Sequence, residues 1–89
     1  MTTVIIQHSV ADFDVWKSAF DDHGSARDTH GCSSVDIYRG AEDGNAITVV
    51  MAYPSLDAAK AFTTDPSLKE AMGRAGVTGP PTISFVEAA

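Results

Sequence analysis

Four short segments of apolar positions, some of them alternating with polar ones, recur along the chain, and they predict four β-strands. Each segment is rich in β-branched or aromatic residues and is bounded by glycine, proline or polar residues, which is typical of strands. The predicted strands are Val4–Val10, Ser33–Arg39, Ala46–Tyr53 and Thr82–Glu87. The turn signal Asp43-Gly44-Asn45 between the second and third segments predicts a hairpin.

The segment Asp12–His30 has apolar positions spaced three and four apart, and it predicts one long helix. Asp12 is a suitable N-cap and Gly31 a suitable stop. Successive residues of a helix are rotated by about 100° around its axis. On one face of the predicted helix, aromatic residues lie toward the N-terminus and ionisable residues toward the C-terminus. The members of this face are Phe13, Trp16, Phe20, His23, Arg27 and His30. Gly24 leaves an alternative open, because a break there with Ser25 as a new cap would rotate Arg27 and His30 off this face.

A second helical segment begins after Pro54 at the capping residue Ser55 and ends at Gly76. It restarts at Asp65-Pro66, a cap followed by proline at the first helical position. The predicted order of elements is therefore βαββαβ. This is the order of the ferredoxin-like α+β fold, a four-stranded antiparallel sheet with helices on one face. Residues 1–89 are expected to form a single domain.

The third predicted strand is apolar on both faces, whereas helices of this fold cover only one. A half-solvated sheet should alternate more cleanly, so we expect the bare face to meet a second copy of the chain in a homodimer. The two sets of side chains are Ile47, Val49, Met51 and Tyr53 on one face, and Val50 and Ala52 on the other.

Composition narrows the class of protein. Apolar residues make up 44% of the chain, which argues against disorder, and 12 Asp and Glu against six Lys and Arg give a net charge of −6. An acidic surface repels nucleic acid and anionic membranes. The lone Cys32 excludes an internal disulfide. No charged leader precedes the first strand and no apolar run is long enough to span a bilayer, so we expect a cytoplasmic protein.

Two histidines of the first helix suggest a metal site, but helical geometry argues against it. His23 and His30 are seven residues apart, about 10 Å along a straight helix, which is too far for both to bind one zinc ion. His8 could join one of them, but no carboxylate or cysteine is placed to complete the site. We therefore expect no metal. His30 is better explained as a cation at the helix C-terminus.

Three ionisable residues are candidates for chemistry. His23 lies where the aromatic face turns polar, and a neutral imidazole there could accept or donate a proton. His8 interrupts an apolar strand face, with Gln7 on the opposite face as the alternative polar group. Arg27 could hold an anionic oxygen, or it could form a structural ion pair with a sheet carboxylate such as Asp36.

The chain resembles small actinobacterial members of the dimeric α/β-barrel superfamily. The resemblance covers nearly the whole chain and is carried by VIIQHSVADFDVWKSAFDDH, DGNAITVV, SLDAAKAF and DPSLKEAMGRAGVTGPP. That superfamily includes antibiotic-biosynthesis monooxygenases, haem-degrading monooxygenases, cyclases and isomerases. The resemblance implies a homodimer and a pocket between helices and sheet for small, often aromatic, molecules. Many members work without a metal or organic cofactor.

These observations lead to two hypotheses. In the first, the protein is a homodimeric enzyme for an aromatic or polyketide-like metabolite, a cofactor-free monooxygenase or a cyclase/isomerase. His23 or His8 would move the proton and Arg27 would stabilise negative charge. Four core aromatic residues would also contact the substrate: Trp16, Phe20, Tyr53 and Phe62. In the second, the protein is a dimeric binding or scaffold protein without catalytic activity, and its histidines are structural.

Overall fold

A computed structural model describes residues 1–89 and contains four strands and four helices. The strands are β1 (Thr2–Ser9), β2 (Ser34–Arg39), β3 (Ala46–Tyr53) and β4 (Thr82–Val86). The helices are α1 (Phe13–Asp22), α2 (Gly24–Thr29), α3 (Leu56–Thr63) and α4 (Pro66–Ala75). None of these helices has both the length and the apolar character needed to cross a membrane.

The strands form one antiparallel sheet in the order β2-β3-β1-β4. The two central strands, β1 and β3, pair along their full length from Thr2 opposite Tyr53 to Ser9 opposite Ala46. Buried side chains of α1, α3 and α4 pack against one face of this sheet, and Arg27 of α2 lies among side chains of the same face. The predicted ferredoxin-like α+β fold is therefore confirmed.

The capping residues stabilise the helices as their types predict. The carboxylate of Asp12 accepts hydrogen bonds from the first turn of α1, and the Ser55 hydroxyl accepts one from the first turn of α3. Asp65 caps α4, with Pro66 in its first turn. Gly31 and Gly76, with φ of 87° and 77°, adopt the left-handed conformation after α2 and α4.

The single helix predicted over Asp12–His30 is wrong, because the chain forms α1 and α2 with His23 at the junction. Gly24 has a low helical propensity, and the Phe20 carbonyl accepts hydrogen bonds from the His23 backbone and from the Arg27 side chain. Ser25 does not act as a new cap, since no side chain caps α2. Nor does the break rotate Arg27 outward: it stays buried on the same side as Phe20.

The helix-covered face of the sheet forms the hydrophobic core. Its side chains come from both central strands and from the helices: Val4, Ile6, Ile47, Val49, Met51, Tyr53, Trp16, Ala59, Phe62, Leu68 and Ala75. The opposite face, hereafter the open face, carries exposed or half-buried side chains at the alternate positions. They include Ile5, Gln7, Asp36, Tyr38, Val50, Ala52 and Val86. The sheet thus has one fully packed face and one face that no helix covers.

Candidate functional site

A cavity lies between the sheet and the helices, and all three candidate ionisable residues line it. Its volume is about 40 Å³, and 11 of its 14 lining residues are hydrophobic. Side chains from β1, β3, all four helices and the α1–α2 junction contribute to it. The residues important for its chemistry are His8, His23, Arg27, Trp16, Phe20 and Phe62.

His8 has no hydrogen-bond partner for either ring nitrogen, although both atoms are buried. Its place on β1 explains this, because it shares the core face with Val4 and Ile6, and its ring lies 5.8 Å from that of Trp16. Burial lowers the pKa of His8 below its ordinary value of 6.5, so the ring is neutral at pH 7. A buried polar group without a partner is costly, and a polar ligand would remove that cost. Gln7 lies on the open face and is exposed.

Arg27 is a buried cation with no carboxylate partner. It is 8% exposed and takes part in none of the salt bridges. Its Nη1 donates to the carbonyl of Phe20 at 2.9 Å, and its guanidinium carbon lies 3.7 Å from the centroid of the Phe20 ring. The ion pair with Asp36 does not form, because Asp36 is exposed on the open face. Burial lowers the pKa of Arg27, but an arginine remains protonated.

His23 occupies the junction of α1 and α2 and is 8% exposed. Its Nε2 lies 2.9 Å from the hydroxyl of Ser67, at the start of α4. Burial lowers the pKa of His23, and the positive charge of Arg27 lowers it further, while the carboxylate of Asp65 opposes both effects. A neutral imidazole therefore lies beside a buried cation in an apolar cavity.

His30 lies at the C-cap of α2, as its expected role at the helix end requires, but its side chain also contacts a distant residue. Its Nε2 lies 2.8 Å from Oδ2 of Asp65, the N-cap of α4. Asp65 also accepts from the backbone N–H of Ser67 at 2.9 Å. Interactions with His30, and then with the Ser67 backbone and hydroxyl, lower the pKa of Asp65 to about 2. Local sequence patterns predicted Asp65 only as a cap and did not indicate Ser67.

The aromatic candidates do not all contact the cavity. Trp16 and Phe20 line it and stack on each other with ring centroids 4.9 Å apart. Phe62 lines it from α3 and packs 5.9 Å from His23. Tyr53 is fully buried and stacks on Phe62 at 5.4 Å, but it is not among the lining residues. Burial raises the pKa of its phenol, so Tyr53 supports the cavity wall as a neutral side chain.

The volume of the cavity limits what it can hold in this conformation. A cavity that accepts a benzene ring has a volume of roughly 150 Å³, whereas this one has about 40 Å³. An aromatic ligand therefore requires movement of lining side chains or of the short helix α2. The chemical capacity of the site is nonetheless defined: a neutral base and a cation face an apolar space from which a weak acid could lose a proton.

Comparison with known proteins identifies the fold. The structure of a Caulobacter crescentus CB15 protein, provisionally named an antibiotic biosynthesis monooxygenase, matches with a TM-score of 0.78 at 21% identity, covering 99% of this chain and 89% of that one. SnoaB, a cofactor-independent oxygenase from Streptomyces nogalater, matches with 0.78 at 15% identity, covering 98% and 91%. Rv0793 from Mycobacterium tuberculosis matches with 0.71 at 18% identity, covering 100% and 96%.

No protein-family model matches the chain, and no curated protein matches it by sequence. The structural matches cover almost the entire chain, so the whole molecule adopts the ferredoxin-like fold of the antibiotic-biosynthesis-monooxygenase structures. This confirms the resemblance at the level of the fold. A fold hosts many chemistries, so the activity depends on the side chains of the cavity.

Proposed function

We propose that the protein is a homodimeric enzyme that removes a proton from a small aromatic or polyketide-like molecule. The reaction is a cofactor-independent oxygenation, or a cyclisation or isomerisation that starts from the same anion. The observation that carries the proposal is the presence, in one apolar cavity, of an imidazole without partners, His8, and a buried cation without a counter-anion, Arg27.

His8 is the proposed general base. Its lowered pKa keeps the ring neutral, and either free nitrogen can take a proton from an acidic hydroxyl or carbon. Arg27 then holds the oxyanion of the phenolate or enolate, in surroundings where charge interactions are stronger than in water. In an oxygenation, the electron-rich anion gives an electron to dioxygen. In a cyclisation, the same anion attacks another atom of the substrate. In an isomerisation, the anion is reprotonated at a different atom.

Structural likeness to a solved oxygenase supports this proposal. SnoaB, which has the same fold, is named a cofactor-independent oxygenase. Oxygenation of that kind needs a base and an apolar cavity, and those are the two properties of the cavity described here. His23 remains the second proposed proton carrier, while Trp16, Phe20 and Phe62 are proposed to contact the substrate. Tyr53 is proposed to affect substrate binding indirectly, because its ring stacks on that of Phe62 and supports it.

The proposed dimer forms through the open face. Ile5, Val50 and Ala52 lie next to one another on the central strands of this face and are only half-buried in the single chain. Apolar side chains at the centre of a sheet are typical of an interface between copies. The single free thiol of Cys32 is compatible with the cytoplasm as the proposed compartment.

The alternative is a dimeric binding protein of the same fold with no catalytic activity. The small volume of the cavity, about 40 Å³, favours this alternative over an enzyme for a large substrate. The two functions differ in whether a bound ligand is consumed.

The experiment is dioxygen uptake and product analysis with a panel of phenols and enolisable aryl ketones. Wild type is compared with His8→Ala and with the matched control Gln7→Ala, one residue away on the open face. Turnover should be lost in His8→Ala and retained in Gln7→Ala. Ligands that bind without being consumed would identify a binding protein, and turnover that survives His8→Ala and His23→Ala would exclude the proposed mechanism.

A further inference from the structure

The ring of Phe20 has two partners in the wall of the cavity, an indole and a guanidinium. The ring of Trp16 stacks on it with centroids 4.9 Å apart and an angle of 24° between the planes. The guanidinium carbon of Arg27 lies 3.7 Å from its centroid, and Arg27 makes no such contact with Trp16. Trp16 precedes Phe20 by four residues and Arg27 follows it by seven, so the two partners reach the ring from opposite directions along the α1–α2 segment.

Phe20 is the aromatic residue of the cavity wall that is easiest to displace. Trp16 and Phe62 are 2% and 1% exposed and belong to the hydrophobic core. Phe20 is only partly buried and packs against that core from its margin. The free energy lost when an apolar side chain moves into water grows with the area that it had buried. Turning Phe20 toward solvent therefore costs less than turning either of the other two rings.

Displacement of Phe20 also supplies the volume that an aromatic ligand needs. The cavity has about 40 Å³, whereas one that accepts benzene has roughly 150 Å³. The side chain of Phe20 ends in a ring of the size of benzene, so the space that it vacates fits one further aromatic ring. Trp16 and Arg27 line the cavity as Phe20 does, so both would border the vacated space.

We infer that Phe20 occupies the ligand's place in the free protein, and that it turns aside when a single planar aromatic ring binds between Trp16 and Arg27. The indole favours a flat ring through stacking, and the guanidinium favours a ring that faces it. A ring that shares a negative charge is attracted more strongly. A phenolate delocalises its charge into the ring, whereas a saturated acid does not. The ligand class is therefore a one-ring phenol, or an enol conjugated with such a ring.

Nuclear Overhauser effects between ring protons measure the displacement directly. The probe is 4-nitrophenol, at a pH at which it is ionised. In the free protein, Phe20 and Trp16 should show such effects across their stacked rings. Saturation with the probe should remove them and give new effects between the probe and Trp16. The contact between Phe13 and Trp16, with centroids 5.7 Å apart, should persist and is the internal control.

Calorimetric titration of variants tests whether Phe20 competes with the ligand. Phe20→Ala should bind 4-nitrophenolate about fivefold more tightly than wild type, because no side chain has to be moved. Phe20→Leu, which cannot stack, should also bind more tightly and serves if Phe20→Ala fails to fold. Phe13→Ala is the matched control and should leave the affinity unchanged. Phe13 is equally half-buried on α1 with a guanidinium over its ring, that of Arg39, but it does not line the cavity.

A saturated anion tests the preference for a flat ring. Cyclohexanecarboxylate has the same charge as 4-nitrophenolate, but its ring is puckered and carries none of that charge. Wild type and Phe20→Ala should both bind 4-nitrophenolate about tenfold more tightly than cyclohexanecarboxylate. Equal affinities for the two anions would mean that no ring stacks between Trp16 and Arg27.

The inference is overturned if the contact between Phe20 and Trp16 persists at saturation with the probe. It is also overturned if both Phe20 variants bind the probe no more tightly than wild type, or if none of these proteins binds it. The inference rests on the proposed function for the place of the ligand, but its test needs no turnover. Displacement of Phe20 without turnover of any phenol would support the inference and contradict the proposed enzyme. Turnover that depends on His8 while Phe20 stays in place would do the reverse.

Discussion

The guanidinium of Arg27 lies over the ring of Phe20, with its central carbon 3.7 Å from the ring centroid, and no carboxylate neutralises it. A buried charge normally has a partner of opposite sign. The stacking on Phe20 and the hydrogen bond to its carbonyl compensate part of the desolvation cost. An anionic ligand would offset the rest of this desolvation cost. Arg27 should therefore contribute more to ligand affinity than to the stability of the fold.

The first prediction is that Arg27→Met changes the free energy of unfolding by less than about 1 kcal/mol or raises it, since it removes an unpaired buried charge. The Phe20 carbonyl keeps its hydrogen bond from the backbone of His23. Urea denaturation measures the change. Arg39→Met is the matched control, because Arg39 also lies over a phenylalanine ring and donates to a backbone carbonyl, but it is exposed. A large destabilisation specific to Arg27→Met would assign Arg27 to the structure alone.

The second prediction concerns the charge of the bound ligand. 4-Nitrophenol is a suitable probe, because its neutral and ionised forms absorb at different wavelengths. Wild type should bind the ionised form and so lower the apparent pKa of the bound probe by about one unit or more, whereas Arg27→Met should abolish this shift. Absorbance titration from pH 5 to 9 measures it, with Arg39→Met again as the control. Preferential binding of neutral nitrophenol by wild type would contradict an anion site.

Much of this arrangement could be predicted from local sequence patterns. Short β-branched segments predicted the four strands, and residue type predicted the caps Asp12, Ser55 and Asp65. The period of the helix placed Arg27 on the face that packs inward. The change on that face from aromatic to ionisable residues indicated His23 and Arg27 as candidates, whereas the cavity itself was expected from the family resemblance.

The contacts that define the site could not be predicted in this way, because they join elements that are distant in sequence. His30 and Asp65 are 35 positions apart, and His23 and Ser67 are 44 apart. Their contacts depend on how the short helices pack over the sheet, which no local pattern encodes. The lack of any partner for His8 is likewise a property of the packed core and not of β1 alone.

The third prediction concerns the dependence of stability on pH. Burial lowers the pKa of His8 and of His23 below 6.5 in the folded state, so the unfolded chain binds more protons. Their contribution to stability is fully present above pH 6.5 and is lost as the pH falls toward the folded pKa values. The slope is at most about 1.4 kcal/mol per pH unit for each histidine.

Urea denaturation between pH 5 and 8 measures this slope. His8→Phe should reduce it, while Gln7→Ala, which has no titrating group, should leave it unchanged. Asp65 acts in a separate range, because its lowered pKa stabilises the folded state above pH 3.8 and this contribution is lost as the pH falls to about 2. A slope in His8→Phe equal to that of wild type would mean that His8 titrates normally in the folded protein.

The fourth prediction tests the proposed dimer. Val50 lies at the centre of the open face, opposite Ile5 of β1, so a charge there would be buried without a partner in the interface. Wild type should have twice the 9.3 kDa mass of the chain in light scattering after size exclusion, and Val50→Asp should be a folded monomer. Val15→Asp is the control, since Val15 is 54% exposed on α1. A monomeric wild type at high concentration would exclude the dimer.

The last prediction concerns the size of the ligand. Met72 lines the cavity from α4 and is only partly buried, so Met72→Ala should enlarge the cavity at a cost of about 1–2 kcal/mol, less than for a fully buried methionine. If ligands enter this cavity, Met72→Ala should bind 1-naphthol several-fold more tightly relative to phenol than wild type does. Calorimetric titration measures both affinities. Leu56→Ala is the control, because Leu56 is 40% exposed and does not line the cavity. An unchanged ratio of the two affinities in a folded Met72→Ala would place the binding site elsewhere.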